Sequence, residues 1–250
     1  MRSPFRLGPA CRAAMLGAAM LAPSHAAFGY RPFDSTDAAV APLGEFELEL
    51  GPLGVLRDGS DRSLIAPAYV LNLGLAEGWE AVLQGRGQEA LSRAAHRTSF
   101  AGNALLLKGM LRDGVLQEKA GPSVATEFGL LLPGIHQESG VGATAAAIVS
   151  QHWSGLTMHL NLAAALTHEQ RADLFLGAIV EGPSDWRVRP VAEVFVEREF
   201  GITTIVSGLV GAIWRVREDL SFDLGLREAS LNGHAVSEVR LGLTFGWTAW

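Results

Sequence analysis

Charged side chains recur at every second position along several apolar stretches of this sequence. Glu45, Glu47 and Glu49 alternate with apolar residues, and Glu193 and Glu197 stand in the same relation to neighbouring valines. Because successive side chains of an extended strand point to opposite faces, this spacing places the carboxylates on one face. A wall of carboxylates enclosed by the protein can attract cations or hold a polar solute.

The same alternation assigns charged residues of both signs to that face. Their chemistry supports two roles, which can hold at once. They can line a narrow polar channel or binding lumen with an acidic bias, or they can pair and brace the protein, because buried charges need partners. The candidates are Glu45, Glu47, Glu49, Glu80, Arg86, Lys108, Glu127, Arg189, Glu193, Glu197, Asp223, Arg227, Glu238 and Arg240.

Catalysis and metal binding receive little support from the residue spacing. His152, Ser154, His159 and Asn161 are residue types found in a lipase of the outer-membrane barrel class, but no spacing orients them for catalysis. The histidines are scattered without the spacing of metal ligands. We therefore predict a protein that is not an enzyme and that uses no metal and no cofactor.

The elements that must position the charged residues are short alternating segments divided by turn-like residues. Their number and period predict an all-β fold, a single up-and-down antiparallel transmembrane β-barrel of about 12 strands. The segments are 44–51, 64–75, 78–88, 98–111, 122–132, 140–152, 155–166, 172–182, 188–199, 203–215, 219–229 and 235–248.

The composition agrees with a barrel that faces lipid. Mean hydropathy is +0.21, yet no stretch approaches the roughly 20 apolar residues of a membrane-spanning helix. The alternative is a secreted lipocalin-like barrel or β-sandwich, which would have an apolar interior and a polar exterior. The net charge of −6, without a basic run, indicates no nucleic-acid partner.

The N-terminus is typical of a cleaved secretory signal peptide. Arg2, Arg6 and Arg12 form a basic start before an apolar core over residues 13–22, and small residues at Ser24 and Ala26 suit a cleavage site. The expected organisation is a signal peptide over 1–26, an irregular N-terminal lead-in over 27–43 and an outer-membrane barrel over 44–250. The expected location is the outer membrane of a Gram-negative-type bacterium, in contact with its lipid.

The tryptophans cluster at one predicted end of the barrel. Connections that follow even-numbered segments are tight, as in the periplasmic turns of outer-membrane barrels. The opposite connections are also fairly short, so no plug or adhesive loop is evident among them. Every tryptophan lies beside an even-to-odd connection or the C-terminus, which predicts one aromatic girdle at the membrane interface. These are Trp79, Trp153, Trp186, Trp214, Trp247 and Trp250.

The last segment carries an apolar face that ends in aromatic residues. Arg240, Gly242, Phe245 and Trp247 resemble the C-terminal signal that the barrel assembly machinery reads, except that three residues follow Trp247. This resemblance implies that the assembly machinery is a partner. We expect the segment to close the barrel by pairing with residues 44–51.

Several short motifs resemble a known family of outer-membrane barrels, "MetA-pathway of phenol degradation", whose members are described as transporters. The resemblance spans nearly the whole chain after residue 30, although Gly109 stands where the family has tyrosine and the outer loops are shorter. The matching residues are 31–33, 36–38, 44–49, 73–75, 79–80, 102–108, 121–123, 127–129, 132–133, Arg189, Pro190 and Glu193.

The family resemblance implies a channel or transporter for small, hydrophobic or aromatic molecules. The alternative that the residues leave open is a structural or binding barrel, in which salt bridges close the lumen and nothing crosses. A continuous pore distinguishes the first from the second. Neither the alternation nor the resemblance identifies the solute.

Overall fold

A computed structural model describes residues 31–91, 98–136 and 138–248. The predicted signal peptide over 1–26, the first residues of the lead-in and Trp250 lie outside the described residues. In the described ranges, no helix is long and apolar enough to cross a membrane.

Twelve strands form a closed antiparallel barrel in which each strand pairs with its neighbours in sequence. The predicted fold class is therefore confirmed. The strands are β1 Glu45–Asp58, β2 Asp61–Ala76, β3 Trp79–Ala90, β4 Thr98–Arg112, β5 Ser123–Leu131, β6 Gly142–Trp153, β7 Leu156–Leu166, β8 Ala172–Glu181, β9 Val188–Glu199, β10 Thr203–Arg217, β11 Leu220–Leu231 and β12 His234–Thr248. A short 3-10 helix, Val115–Gln117, lies between β4 and β5.

Closure joins the first strand to the last, as the alternation predicts. Glu45 lies opposite Thr248, and the antiparallel register continues to Asp58 opposite Val236. On the outer face of this seam, the rings of Phe46 and Trp247 stack with centroids 5.3 Å apart. Cross-strand aromatic pairs of this kind stabilise a sheet.

The barrel carries its apolar side chains outside and its polar side chains inside. On β7, Leu160 and Leu162 are 50% and 57% exposed, whereas His159 and Asn161 between them are 2% and 4% exposed. This distribution is the reverse of the apolar interior that a soluble lipocalin-like barrel or sandwich would have. The outer face is therefore suited to lipid.

The first strand is longer than the predicted segment 44–51. Pro52 interrupts the alternation, and the register shifts between Leu50 and Leu53, after which β1 continues to Asp58. A bulge accommodates a proline because the extra residue does not need to donate to the ladder. As a result, only Gly59 and Ser60 separate β1 from β2, where the predicted segments 44–51 and 64–75 left residues 52–63 between them.

The two ends of the barrel contain different strand ends and turns. The start of β1, the end of β12 and the turns that follow even-numbered strands all lie at one end, which we call the terminal rim. Gly78 and Gly155 form its tight turns with positive φ angles of 74° and 83°. The opposite end is the far rim.

Candidate functional site

The lumen contains the described part of the N-terminal lead-in. Residues 31–42, which we call the collar, have no regular secondary structure and run along the inner wall of the barrel. The collar begins against β11 and β12, passes β9, β7 and β6, and reaches β3 and β2 before entering β1. The connecting loops suggested no plug, and the segment that occupies the lumen is instead the lead-in.

Backbone N–H groups of the collar donate to side chains of the wall. Asp34 and Ser35 both donate to the Glu193 carboxylate, at 3.0 and 2.7 Å, and Thr36 donates to Asn161 Oδ1 at 3.0 Å. Asn161 returns the contact by donating from Nδ2 to the Thr36 carbonyl. A segment without a helix or sheet must satisfy its backbone in this way when it is buried.

Two further N–H groups continue the pattern along the second half of the collar. Ala38 donates to Ser150 Oγ at 3.0 Å, and Ala41 donates to the Glu80 carboxylate. Ser150 Oγ lies 2.7 Å from His159 Nδ1, which lets the hydroxyl donate to the ring while it accepts from Ala38. The collar is therefore positioned by specific hydrogen bonds rather than by apolar packing alone.

The carboxylates of the collar contact cations of the wall. Asp34 Oδ2 lies 3.0 Å from Arg240 Nη2 and 3.5 Å from Arg227 Nε. Burial acts to raise the pKa of Asp34, but Arg240 and Arg227 outweigh it, so this pKa lies below its usual value. Asp37 Oδ1 lies 3.4 Å from Lys108 Nζ, yet burial dominates there and raises the pKa of Asp37.

Inward-facing glycines make room for the collar. A Cβ atom added at Gly177 would collide with the Ser35 hydroxyl, and one at Gly225 would meet the Pro32 ring. At Gly74 it would collide with the Pro42 carbonyl, and at Gly51 with the Arg31 guanidinium. These glycines let the collar approach the strands closely, with backbone atoms at Gly74 and with side chains at the other three positions.

Several predicted lumen residues contact the collar, and others lie on the barrel wall without a direct contact to it. Arg86 is exposed and Glu197 is half-buried, while Arg189 contacts Glu181 at 2.8 Å. Of the predicted lumen residues, those whose side chains contact the collar directly are Glu80, Lys108, Glu193, Asp223, Arg227 and Arg240.

Two walls of the lumen have different charge. On β11 and β12, the residues Asp223, Arg227, Glu238 and Arg240 form the paired wall, where Glu238 Oε2 lies 3.3 Å from Arg227 and 2.9 Å from Arg240. On β1, β3, β4 and β5, the acidic wall consists of Glu47, Glu49, Glu80, Lys108 and Glu127. Among these described residues, four carboxylates face one cation.

A cavity of about 320 Å³ lies between the collar and the acidic wall. Glu47, Glu49, Glu80, Lys108 and Glu127 all line it, and so does Glu45. Its apolar lining comes from Phe33 and Val40 on the collar and from Val70, Val82 and Phe175 on the strands. Its volume is at the lower end of the range for small-molecule sites.

The five described tryptophans lie at the terminal rim. Trp79 begins β3 and Trp153 ends β6, while Trp186 lies in the connection between β8 and β9. Trp214 packs against Phe222 with ring centroids 6.1 Å apart, and Trp247 lies one residue from the end of β12. Within the residues proposed as an assembly signal, Arg240 and Gly242 are buried, whereas Phe245 stacks on Trp247.

The charge alternation missed the polar residues that position the collar. Asp34 lies in an irregular segment, and Ser150 lies in a strand rich in alanine whose facing is ambiguous from the sequence. Asn72, which donates to Glu47 and Glu49, is a neutral residue among apolar neighbours. Of the residues considered for a hydrolase, His159 contacts Ser150 and Asn161 contacts the collar.

No family model and no curated protein matches the sequence. The family named from the short motifs is therefore not confirmed. Among solved structures, the COG4313 outer membrane channel from Pseudomonas putida F1 is similar at 10% identity and a TM-score of 0.59, covering 86% of this chain and 100% of that chain.

Two other solved structures have the same barrel architecture. The KdgM porin is 9% identical with a TM-score of 0.52, covering 80% of this chain and 98% of that chain. The translocator domain of the autotransporter NalP from Neisseria meningitidis is 13% identical with a TM-score of 0.50, covering 82% of this chain and 89% of that chain. At these identities the likeness shows the fold, which is that of bacterial outer-membrane barrels including porins and channels.

Proposed function

We propose that this protein is an outer-membrane channel for small solutes, in which the collar sets the narrowest part of the route. The observation that carries the proposal is the cavity of about 320 Å³ beside the collar. In an outer-membrane barrel the terminal rim faces the periplasm, so the solute enters at the far rim and meets the collar last. The tryptophans at the terminal rim then lie at the periplasmic interface of the membrane.

The lining of the cavity favours a solute with both polar and apolar parts. Carboxylates and Lys108 lie on one side, and Phe33 and Phe175 contribute aromatic surface. Such a mixed lining agrees with the small, hydrophobic or aromatic molecules that the family resemblance implies. The KdgM porin, solved in complex with disordered oligogalacturonate, is a barrel of this fold that holds a solute.

Single-channel conductance in planar bilayers tests this function. The wild-type barrel should pass ions at a low conductance, and deletion of residues 31–42 should raise that conductance severalfold because the collar no longer narrows the lumen. Glu193→Ala provides a milder variant, since it removes the acceptor of the Asp34 and Ser35 N–H groups. It should increase fluctuations between conductance levels.

A matched control is Glu228→Gln, which removes an exposed carboxylate that contacts Ser237 away from the lumen. This variant should conduct like the wild type. If neither the wild type nor the collar deletion conducts, although both are folded by heat-modifiable gel migration, the channel function is wrong.

A second candidate function is a binding or structural barrel that passes nothing. The route of the collar favours it, because the collar contacts strands from β2 round to β12. A wild-type barrel that is silent in bilayers, together with a conducting collar deletion, would support this candidate over the open channel.

A further inference from the structure

The acidic wall contains two buried carboxylates that share one neutral partner. Glu47 and Glu49 are 8% and 4% exposed. Their Oε1 atoms accept from the same amide nitrogen, Asn72 Nδ2, at 3.4 and 3.1 Å. Within the described ranges, neither carboxylate has a cationic side chain within 4.0 Å.

The one cation of the acidic wall is already engaged. Lys108 Nζ lies 3.4 Å from Asp37 Oδ1 and 3.4 Å from Glu80 Oε1. Glu127 lies opposite Lys108 in the strand register and adds a further carboxylate to the same cavity. This side of the cavity therefore carries more negative charge than its own residues neutralise, and burial makes an unneutralised carboxylate unfavourable.

Apolar surface completes the cavity. Phe33 of the collar and Phe175 of β8 both line it, together with Val70 and Val82. A bare inorganic cation would satisfy the carboxylates but would gain nothing from the aromatic rings through burial of apolar area. A cation with an apolar body would use both parts of the lining.

We propose that the cavity binds a small organic ammonium ion. The three donors of a primary ammonium group suit the two carboxylates of Glu47 and Glu49, and its apolar body packs against Phe33 and Phe175. The assignment deepens the proposed channel function and rests on it for the route by which the solute reaches the cavity.

Isothermal titration calorimetry of the folded barrel in detergent micelles tests the assignment with benzylammonium chloride as the probe. Benzylammonium should bind saturably and at least about tenfold more tightly than benzyl alcohol, because a hydrogen bond to a charged group contributes more than a neutral one. Glu47→Gln/Glu49→Gln should weaken benzylammonium binding by at least about tenfold. Glu228→Gln, the matched control, should bind it like the wild type.

Three results would overturn the assignment. The first is equal affinity of the wild type for benzyl alcohol and benzylammonium, which requires no variant. The second is unchanged affinity in the folded double variant. The third is displacement of benzylammonium by an equimolar concentration of potassium, which would mean that the site recognises charge alone.

The test also separates this inference from the channel function. A barrel that conducts in bilayers but does not bind benzylammonium contradicts the ammonium site and leaves the channel intact. A barrel that binds benzylammonium but conducts nothing contradicts the channel and supports a binding barrel.

Discussion

The paired wall and the acidic wall use the same kinds of residue in opposite ways. On the paired wall, Arg227 and Arg240 each contact Glu238 on the strands and Asp34 on the collar. On the acidic wall, the side chains of Glu47 and Glu49 accept hydrogen bonds from the amide of Asn72, and neither has a cationic side chain within 4.0 Å among the described residues. Alternation alone left bracing and solute binding open for every charged residue, and we infer that the two roles fall on different strands.

The difference follows from where the collar meets each wall. The collar supplies Asp34 to Arg227 and Arg240 of the paired wall and Arg31 to Asp223, so that three carboxylates meet three guanidinium groups there. Against the acidic wall it supplies Asp37, a further carboxylate, to Lys108. We infer that the paired wall holds the collar in place and that the acidic wall gives the lumen its electrostatic character.

The largest expected effect comes from breaking the paired wall. Arg240→Met should lower the free energy of unfolding by about 3–5 kcal/mol, because removal of one partner leaves the buried Glu238 and the collar carboxylate without it. Urea unfolding in micelles, followed by tryptophan fluorescence, measures the change.

Arg217→Gln is the control for Arg240→Met. The Arg217 side chain is 60% exposed and lies 3.1 Å from Asp219, so its loss should change stability by less than about 1 kcal/mol. Equal destabilisation by the two variants would contradict the bracing role of Arg240.

An intermediate effect is expected from crowding the collar itself. Gly177→Ala places a Cβ against the Ser35 hydroxyl and the Phe175 ring, and overpacking of this kind costs about 1–3 kcal/mol. Urea unfolding measures this cost, with Gly208→Ala as control because its Cβ would have a nearest neighbour only at 4.0 Å. Equal stability of Gly177→Ala and Gly208→Ala would contradict the close contact between the collar and β8.

A substitution in the acidic wall should have the smallest effect on stability and a measurable effect on ion selectivity. Glu49→Gln should not lower the free energy of unfolding, because it removes a buried charge that has no cationic partner within 4.0 Å among the described residues and keeps an oxygen that can accept from Asn72. The reversal potential in a potassium chloride gradient should shift towards lower cation preference. An unchanged reversal potential in a conducting variant would contradict the electrostatic role of the acidic wall.

The strands could be predicted because their side chains alternate between lipid and lumen. Along β7, the leucines and the polar residues already separate in the sequence, and the structure keeps that separation. The second half of β1 could not be predicted, since Pro52 and the bulge beside it shift the period. After a register shift, a two-residue period counted from the start of the strand no longer identifies the residues that face the lumen.

The collar could not be predicted as an occupant of the lumen because its contacts have no period. Its backbone N–H groups bind Glu193, Asn161 and Ser150, and no spacing within residues 31–42 reveals such partners. The one signal in the sequence is indirect. Gly177 and Gly225 stand at inward positions of their strands, where the side chains of Ser35 and Pro32 leave no room for a Cβ atom.

The route of the collar has a consequence for how the barrel forms. Pro32 accepts from Arg240 across 208 residues of sequence, and β1, which begins just after the collar, pairs with β12 over nearly the same separation. The loop-closure entropy of bringing the chain ends together is therefore offset by both sets of contacts at once. Because the collar contacts β11 and β12 and leads directly into β1, we infer that occupation of the lumen by the collar and pairing of β1 with β12 stabilise each other.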